Sequence, residues 1–327
     1  MRILITGGAG FLGTQLARTL LLRKHLLGRP IAEMVLADMA QPAADLASDS
    51  RVRSLVAPLI ESCPTLARER FDVVFHLAGA VSRECEANFE LGLRSNLDTS
   101  RALFEALRFA GNRPRLVFAS SVAVFGSDPG LPLPSVIRES TLPTPQSSYG
   151  TQKFICEQLV ADYTRKGFFD GRTGRLMTVA VRPGRPNGAA SGFLSGIVRE
   201  PLNETDSICP VPLEMPVALA SPSNTMKALI ALAEAESREL GGRTAINFPA
   251  LTVKVGEILD ALETVGGKAA RARVHFEADP VITSLVGSWP SVFESGRALH
   301  LGLLPDPDMV SIIRQFVDEH LPVRTKA

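Results

Sequence analysis

The 327 residues are 45% apolar and 21% charged, with 35 Lys and Arg against 34 Asp and Glu and a formal net charge of +1. That composition excludes a disordered chain, the length allows one large core or two unequal ones, and no basic run argues for nucleic acid. No apolar stretch is long enough to span a bilayer, and the four cysteines (Cys63, Cys85, Cys156, Cys209) are scattered without a Cys-x-x-Cys pair, as structural thiols of a reducing cytoplasm would be.

The chain opens on Arg2-Ile-Leu-Ile-Thr6, a branched apolar run of the kind a buried parallel strand requires. Gly7-Gly-Ala-Gly10-Phe11-Leu12-Gly13 follows at once, and Leu16, Leu20 and Leu21 then recur at helical spacing. Gly7 and Gly10 permit a tight turn that brings backbone amides to a pyrophosphate, and Gly13 allows close packing of the helix against the sheet. The helix N-terminus adds unpaired N–H groups and the positive end of its dipole. Gly7, Gly10, Phe11, Leu12 and Gly13 are therefore expected to cradle a dinucleotide. A second apolar run, Met34 to Ala37, ends in Asp38, with no Arg or Lys beside it. A carboxylate there accepts hydrogen bonds from an adenosine ribose and repels a 2′-phosphate, so NAD is expected rather than NADP. The reading of Asp38 as a solvated loop residue stands beside this one.

Further on, Phe71 to Ala78 reads as a strand meeting a turn at Gly79-Ala80, and Asn96 to Ala110 as a helix. Arg115 to Ser121 reads as a strand ending in hydroxyls, and Met177 to Arg182 as the next strand after a helix that holds Tyr149. Such alternation predicts an α/β fold, a doubly wound parallel sheet with helices on both faces. Ligands of such sheets bind beyond the carboxyl ends of the strands, where Gly7, Asp38, Gly79 and Ser121 all fall. Tyr149 and Lys153 are spaced i, i+4 and share a helix face; an ammonium beside a phenol favours the phenolate, a proton-transfer group. Alone, the spacing also fits an amphipathic surface pair.

Prolines and glycines thicken from Pro183 to Pro222, predicting loops that shape a substrate site. Helix-like stretches follow at 219–240, 256–265 and 309–320. A soft boundary is placed at 183/184, with 1–183 as the cofactor-binding domain and 184–327 as a smaller, interleaved substrate-binding part.

On Gly7-x-x-Gly10-x-x-Gly13, Asp38, Phe75-His-Leu77-Ala78-Gly79, Asn96, Ser120-Ser121-x-x-Val124-Phe125-Gly126, Tyr149-x-x-x-Lys153 and Arg182-Pro183-Gly184, the chain resembles the extended short-chain dehydrogenases/reductases along nearly its whole length. This NAD-dependent epimerase/dehydratase superfamily includes the nucleotide-sugar epimerases. The resemblance implies a Rossmann fold and a catalytic set of Ser121, Tyr149, Lys153 and Asn96. It also implies cofactor contacts from Leu77, Ala78, Gly79, Asn96, Tyr149, Lys153 and Pro183, and assembly as a homodimer or larger homo-oligomer. Two departures stand out. No Asp follows the third strand in Leu55 to Glu61, where the family meets the adenine, and Phe125 replaces a customary tyrosine.

Within the family, Val181 to Phe193 and Ser221 to Asn224 are most similar to dehydrogenases of small sugar acids. A sugar-acid substrate needs a cation for its carboxylate, and Arg185 is the candidate, a surface or cofactor-facing arginine being the alternative. Substrate contacts are thus expected from Ser121, Tyr149 and Arg185, with Asn187 and Ser191 as further polar groups. His76 is expected to order its loop, and the remaining histidines lack ligand spacing, so no metal is expected. Two rival functions remain: a nucleotide-sugar epimerase or dehydratase with tightly held NAD, and a non-catalytic NAD-binding sensor. Few basic residues stand between Ser191 and Val217 to meet a diphosphate, and the intact Ser121, Tyr149 and Lys153 argue against a sensor. A soluble cytoplasmic enzyme, with no membrane or nucleic-acid partner, is the expectation.

Overall fold

Ile3, Leu4 and Ile5 are all fully buried, so the first strand, β1 (Arg2–Thr6), must be covered on both faces. Each such side chain removed from water contributes about 1.5–3 kcal/mol, which is why an unbroken apolar run marks an interior parallel strand. The computed structural model describes residues 1–184 and 189–321. In it β1 leads through the Gly7–Gly10 turn into α1 (Phe11–Arg23), and the alternation continues with β2 (Glu33–Asp38), β3 (Val52–Val56), α2 (Leu59–Leu66) and β4 (Val73–His76). It runs on through α3 (Thr99–Ala110), β5 (Arg115–Ser121), α4 (Ser148–Arg165) and β6 (Asp170–Leu176), and a short β7 (Ile246–Asn247) returns from far along the chain.

These strands form one seven-stranded parallel sheet in the order β7-β6-β5-β4-β1-β2-β3. Thr6 stands opposite both Ala37 and His76, so β1 and β4 end level and β2 runs one residue further, to Asp38. The connection order reverses between β1 and β4, and the crevice beyond their ends is where such sheets take ligands. Strand alternation divides the core in two. Ile3, Ile5 and Leu36 meet Leu16 and Leu20 of α1 and Leu229 and Leu232 of a later helix, while Leu4, Val35 and Val74 meet Leu66, Leu103, Phe104 and Val160 of α2, α3 and α4.

The expected strand at Met177 to Arg182 is not the sheet's sixth strand. That strand is the polar Asp170-Gly-Arg-Thr-Gly-Arg-Leu176, and Thr178–Val179 instead joins a separate three-stranded sheet with Pro216–Ala220 and Leu251–Lys254. β6 is buried despite Arg172 and Arg175, because each guanidinium is saturated inside. Arg172 donates to the carbonyls of Leu232, Ala233 and Ala235 and pairs with Asp170; Arg175 pairs with Glu157. The loop-rich stretch 183–222 contains α5 (Phe193–Leu202), and the helix expected at 219–240 is α6 (Pro222–Glu234), entered from a strand through the Ser221 cap. The helix expected at 256–265 runs longer, as α7 (Val255–Arg271), and the last helix is α8 (Met309–His320). Ile197 and Val198, Ile258 and Leu262, and Ile313 and Phe316 from α5, α7 and α8 form a third core. Among the described residues no helix is long and apolar enough to cross a membrane.

Candidate active site

The glycine loop is set by a close approach. Gly7 adopts φ +71°, and a Cβ on Gly13 would stand 2.1 Å from the Gly7 carbonyl oxygen, so α1 begins pressed directly onto the turn. The close contact of Gly13 is therefore with the loop itself. Gly10 caps α1 without a side chain, and no acidic residue occupies the first turn. The first amides, those of Phe11, Leu12 and Gly13, precede the helix's own hydrogen-bond ladder and stand at the positive end of its dipole, a site suited to a pyrophosphate. At the end of β2 the Asp38 carboxylate accepts from the amides of Ala9 (3.0 Å) and Ala40 (3.2 Å), which join it to the same loop. The strand after it ends at Val56, and Ala57 donates its amide to the Asp38 carbonyl, so backbone rather than a second acidic residue stands there.

The wall opposite the glycine loop is Leu77-Ala78-Gly79-Ala80. Its geometry depends on a buried chain of hydrogen bonds whose directions are fixed. The Ser100 hydroxyl must donate to the Asn96 carbonyl, which only accepts, so its oxygen takes the Nε2–H of His76 at 2.9 Å. Nδ1 is then the acceptor for the Thr6 hydroxyl at 2.7 Å, and the Thr6 oxygen accepts the Ala78 amide. Full burial, with the Lys153 charge adding to it, pushes His76 down to about 3, so the imidazole is neutral. It orders the loop, the role expected of it.

Asn96 lies in a π-helical segment, Leu93–Asp98, that precedes α3. The extra residue per turn is a feature often found at functional sites. Its side-chain oxygen accepts from Ala80 N at 2.8 Å, and its amide nitrogen reaches Cys85 Sγ (3.2 Å) and the Gln152 side chain (2.8 Å). Asn96 is thus buried behind the loop, bonded to Ala80, and joins it to α4.

Tyr149 opens α4, where Ser147 caps the helix by accepting from Gly150 N and Ser148 N donates to Glu86. One turn further, Lys153 is buried; its Nζ donates to the Ala119 carbonyl at 3.0 Å and stands 5.7 Å from the Tyr149 ring centroid and 4.9 Å from that of Phe118. Among the described residues no carboxylate pairs with Lys153. Ser121 ends β5 with its hydroxyl accepting from Ala123 N at 3.2 Å. The structure therefore brings an ammonium against the phenol ring, with a hydroxyl at the adjacent strand end.

Gly150 was not foreseen as part of the site. It packs its α-carbon onto the Ala123 carbonyl and so joins Tyr149's turn to the Ser121 turn. A glycine inside a helix costs about 1 kcal/mol relative to alanine, and that cost is the available signal of a packing reason. Gln152, Glu86 and Glu157 carry no such signal. Pro183 is half-buried beyond Arg182, whose Nε donates to the Val179 carbonyl; burial lowers the Arg182 guanidinium, against an opposing influence of Tyr149. Arg185 and Asn187 lie outside the described residues. Ser191 is buried 3.5 Å from Arg182 Nη2. The Ser221 to Asn224 stretch serves the fold: Ser221 caps α6 and its amide donates to Asp306. A cavity of about 460 Å³ beside it shares no lining residue with Ser121, Tyr149 or Lys153. All four cysteines are buried and unbridged, and burial raises the Cys63 thiol to about 11.

The model of the NAD-dependent epimerase/dehydratase family matches residues 3–213. The chain is 45% identical over 327 residues to D-erythronate dehydrogenase of Cupriavidus necator, covering 98% of both chains. It is 40% identical to D-erythronate dehydrogenase of Haemophilus influenzae, covering 97% of this chain and 99% of that one. Among solved structures, a protein of Agrobacterium tumefaciens called a nucleoside-diphosphate-sugar epimerase superposes with a TM-score of 0.90 at 40% identity, covering 98% of this chain and 94% of that one. The glycine cradle, the Asp38 carboxylate and the Leu77–Ala80 wall fit the cofactor that this family uses. The chain belongs to the NAD-dependent epimerase/dehydratase family, the extended short-chain dehydrogenases/reductases, and is an enzyme whose cofactor is NAD.

Proposed function

We propose that the protein oxidises D-erythronate at its C2 hydroxyl to 2-dehydro-D-erythronate, with Tyr149 as general base. The observation that carries this reading is the 45% identity to a D-erythronate dehydrogenase over 98% of both chains, with Ser121, Tyr149 and Lys153 all present. In this reading residues 1–183 carry the cofactor and 184–327 shape the substrate site. When bound, NAD supplies the hydride acceptor. The protein's part is to place the proton and the oxygen. Tyr149, as phenolate beside the Lys153 ammonium, takes the proton of the substrate hydroxyl. Ser121 donates a hydrogen bond to the same oxygen and holds it in line. Arg185 takes the substrate carboxylate as a planar two-donor fork.

The epimerase reading has the name of the Agrobacterium protein in its favour. Against it stands Arg199, the one basic residue between Ser191 and Val217, which is buried and donates to the Arg182 carbonyl and to Glu200. A cation committed inside the protein does not serve a diphosphate. The reading includes a cytoplasmic location and a homodimer, the latter supported by the exposed apolar Phe109 on α3 and Ile155 on α4. The test is NADH formation across C4–C6 sugar acids and nucleotide sugars. Turnover of D-erythronate is expected; turnover confined to a nucleotide sugar would transfer the assignment to the epimerase reading.

A further inference from the structure

We propose that Glu157, gripped by Arg175, is a positioning residue that fixes the height of α4 against the end of β5 and so aligns Tyr149 with Ser121. This rests on the reading of those two residues as the reacting groups. Tyr149, Lys153 and Glu157 follow one another at intervals of four and therefore share one face of α4. The last residues of β5 meet that face. The Ala119 carbonyl accepts from Lys153 Nζ at 3.0 Å, and the Ser120 hydroxyl donates to Glu157 Oε1 at 2.5 Å. Ser121, the next residue, ends the strand at the site, its side chain pointing to the opposite face of the sheet from that of Ser120. Three successive strand residues thus serve the lysine, the glutamate and the reaction.

The glutamate is itself held from the far side. Arg175 of β6 forks onto it, Nε to Oε1 at 2.9 Å and Nη2 to Oε2 at 2.7 Å, while Nη1 reaches Asn247 Oδ1 of β7 at 3.2 Å. The guanidinium carbon lies 4.7 Å from the Phe125 ring centroid, and the ion-pair side chains are 5% and 2% exposed. With three donors on its two oxygens and little contact with solvent, this carboxylate is not open to a ligand. Nor does stability alone explain it, because well-packed apolar residues replace a buried ion pair at little or no cost in many proteins. What an apolar pair cannot supply is direction. A bidentate fork accepts one axial position of α4, whereas a greasy contact tolerates sliding; one residue of slip along a helix is about 1.5 Å.

The experiment uses the full-length protein with NAD and D-erythronate and compares Ser120→Ala with the double variant Glu157→Leu/Arg175→Met. Misplacement on the order of 1 Å costs about 100-fold in rate, so kcat is expected to fall at least about 30-fold in the double variant and about 5-fold in Ser120→Ala. KM should stay within about 2-fold in both, because the group proposed to take the substrate carboxylate is not touched. A folded double variant with wild-type kcat overturns the proposal. If the double variant does not fold, unchanged kcat in Ser120→Ala overturns it. If the wild type does not oxidise D-erythronate, the substrate reading fails separately, and crystal structures of the wild type and Ser120→Ala decide the positioning claim. Lys153 Nζ and Ala119 O should then part beyond hydrogen-bond distance in the variant; an unchanged contact overturns the proposal.

Discussion

Gly150→Ala sets a local gain against a tertiary loss, and the structure says which wins. Alanine in place of glycine within a helix stabilises by about 1 kcal/mol. In α4, however, a Cβ at position 150 would stand 2.0 Å from the Ala123 carbonyl oxygen, 2.9 Å from its carbon and 3.1 Å from Pro145 Cβ. The nearest of these is backbone, so no side chain can rotate away. Restoring an ordinary contact, about 3.4–4 Å, requires the first turn of α4 and the Val122–Val124 turn to separate by more than 1 Å. Overpacking of that kind costs about 1–3 kcal/mol, which cancels or exceeds the helical gain, so the melting temperature should be level or slightly lower. The separation falls between Tyr149 and Ser121. A misplacement on that scale costs about 100-fold in kcat, or about 2.7 kcal/mol at the transition state. NAD affinity, measured by fluorescence titration, should be unchanged. Steady-state NADH formation and thermal melting on the same preparation are the assay. A variant more stable than the wild type with kcat within about 3-fold of it would refute the packing argument.

Asp38→Ala removes a carboxylate placed for charged hydrogen bonds, worth about 1.5–3 kcal/mol, and should weaken NAD binding about 10- to 100-fold by titration. Arg185→Ala should raise the KM for D-erythronate without changing NAD affinity; an unchanged KM removes Arg185 from the substrate site. His76 is held neutral, with its folded value near 3 against 6.5 unfolded. The unfolded chain therefore binds the extra proton, and stability falls as pH drops below about 6.5, by up to about 1.4 kcal/mol per unit. Chemical denaturation between about pH 6.5 and 4.5, above the main carboxylate range, should show that slope in the wild type and a shallower one in His76→Gln, where His320, also lowered by burial, still contributes. An identical slope in both proteins would contradict the neutral, single-tautomer chain.

The apolar strands were legible because nothing else produces a run such as Ile3-Leu4-Ile5 or Val73-Val74-Phe75 between turn signals, and the structure returns both as interior strands. β6 was illegible for the complementary reason. Arg172 and Arg175 look like solvent residues until their partners are known, and apart from Asp170 those partners lie elsewhere in the sequence, at 157, 232, 233, 235 and 247. Hydropathy therefore favoured the more apolar Met177 to Arg182. The helix of Asn96 is legible in outline, but its π-helical start depends on hydrogen-bond spacing that periodicity does not encode. At the site, residue types that carry chemistry stood out, whereas those that position them did not. Gly150, Gln152 and Glu157 act through contacts with Ala123, Asn96, Ser120 and Arg175, which the fold creates.

The central claim is that Tyr149 moves the proton in an NAD-dependent oxidation of D-erythronate. Its most direct test is NADH formation by the wild type and Tyr149→Phe at saturating NAD, with NAD affinity measured for both. The account predicts steady turnover by the wild type and unaltered NAD binding in the variant, with kcat lower by at least about 1,000-fold, within the range general base catalysis supplies. Comparable turnover of D-erythronate by the two proteins would contradict it.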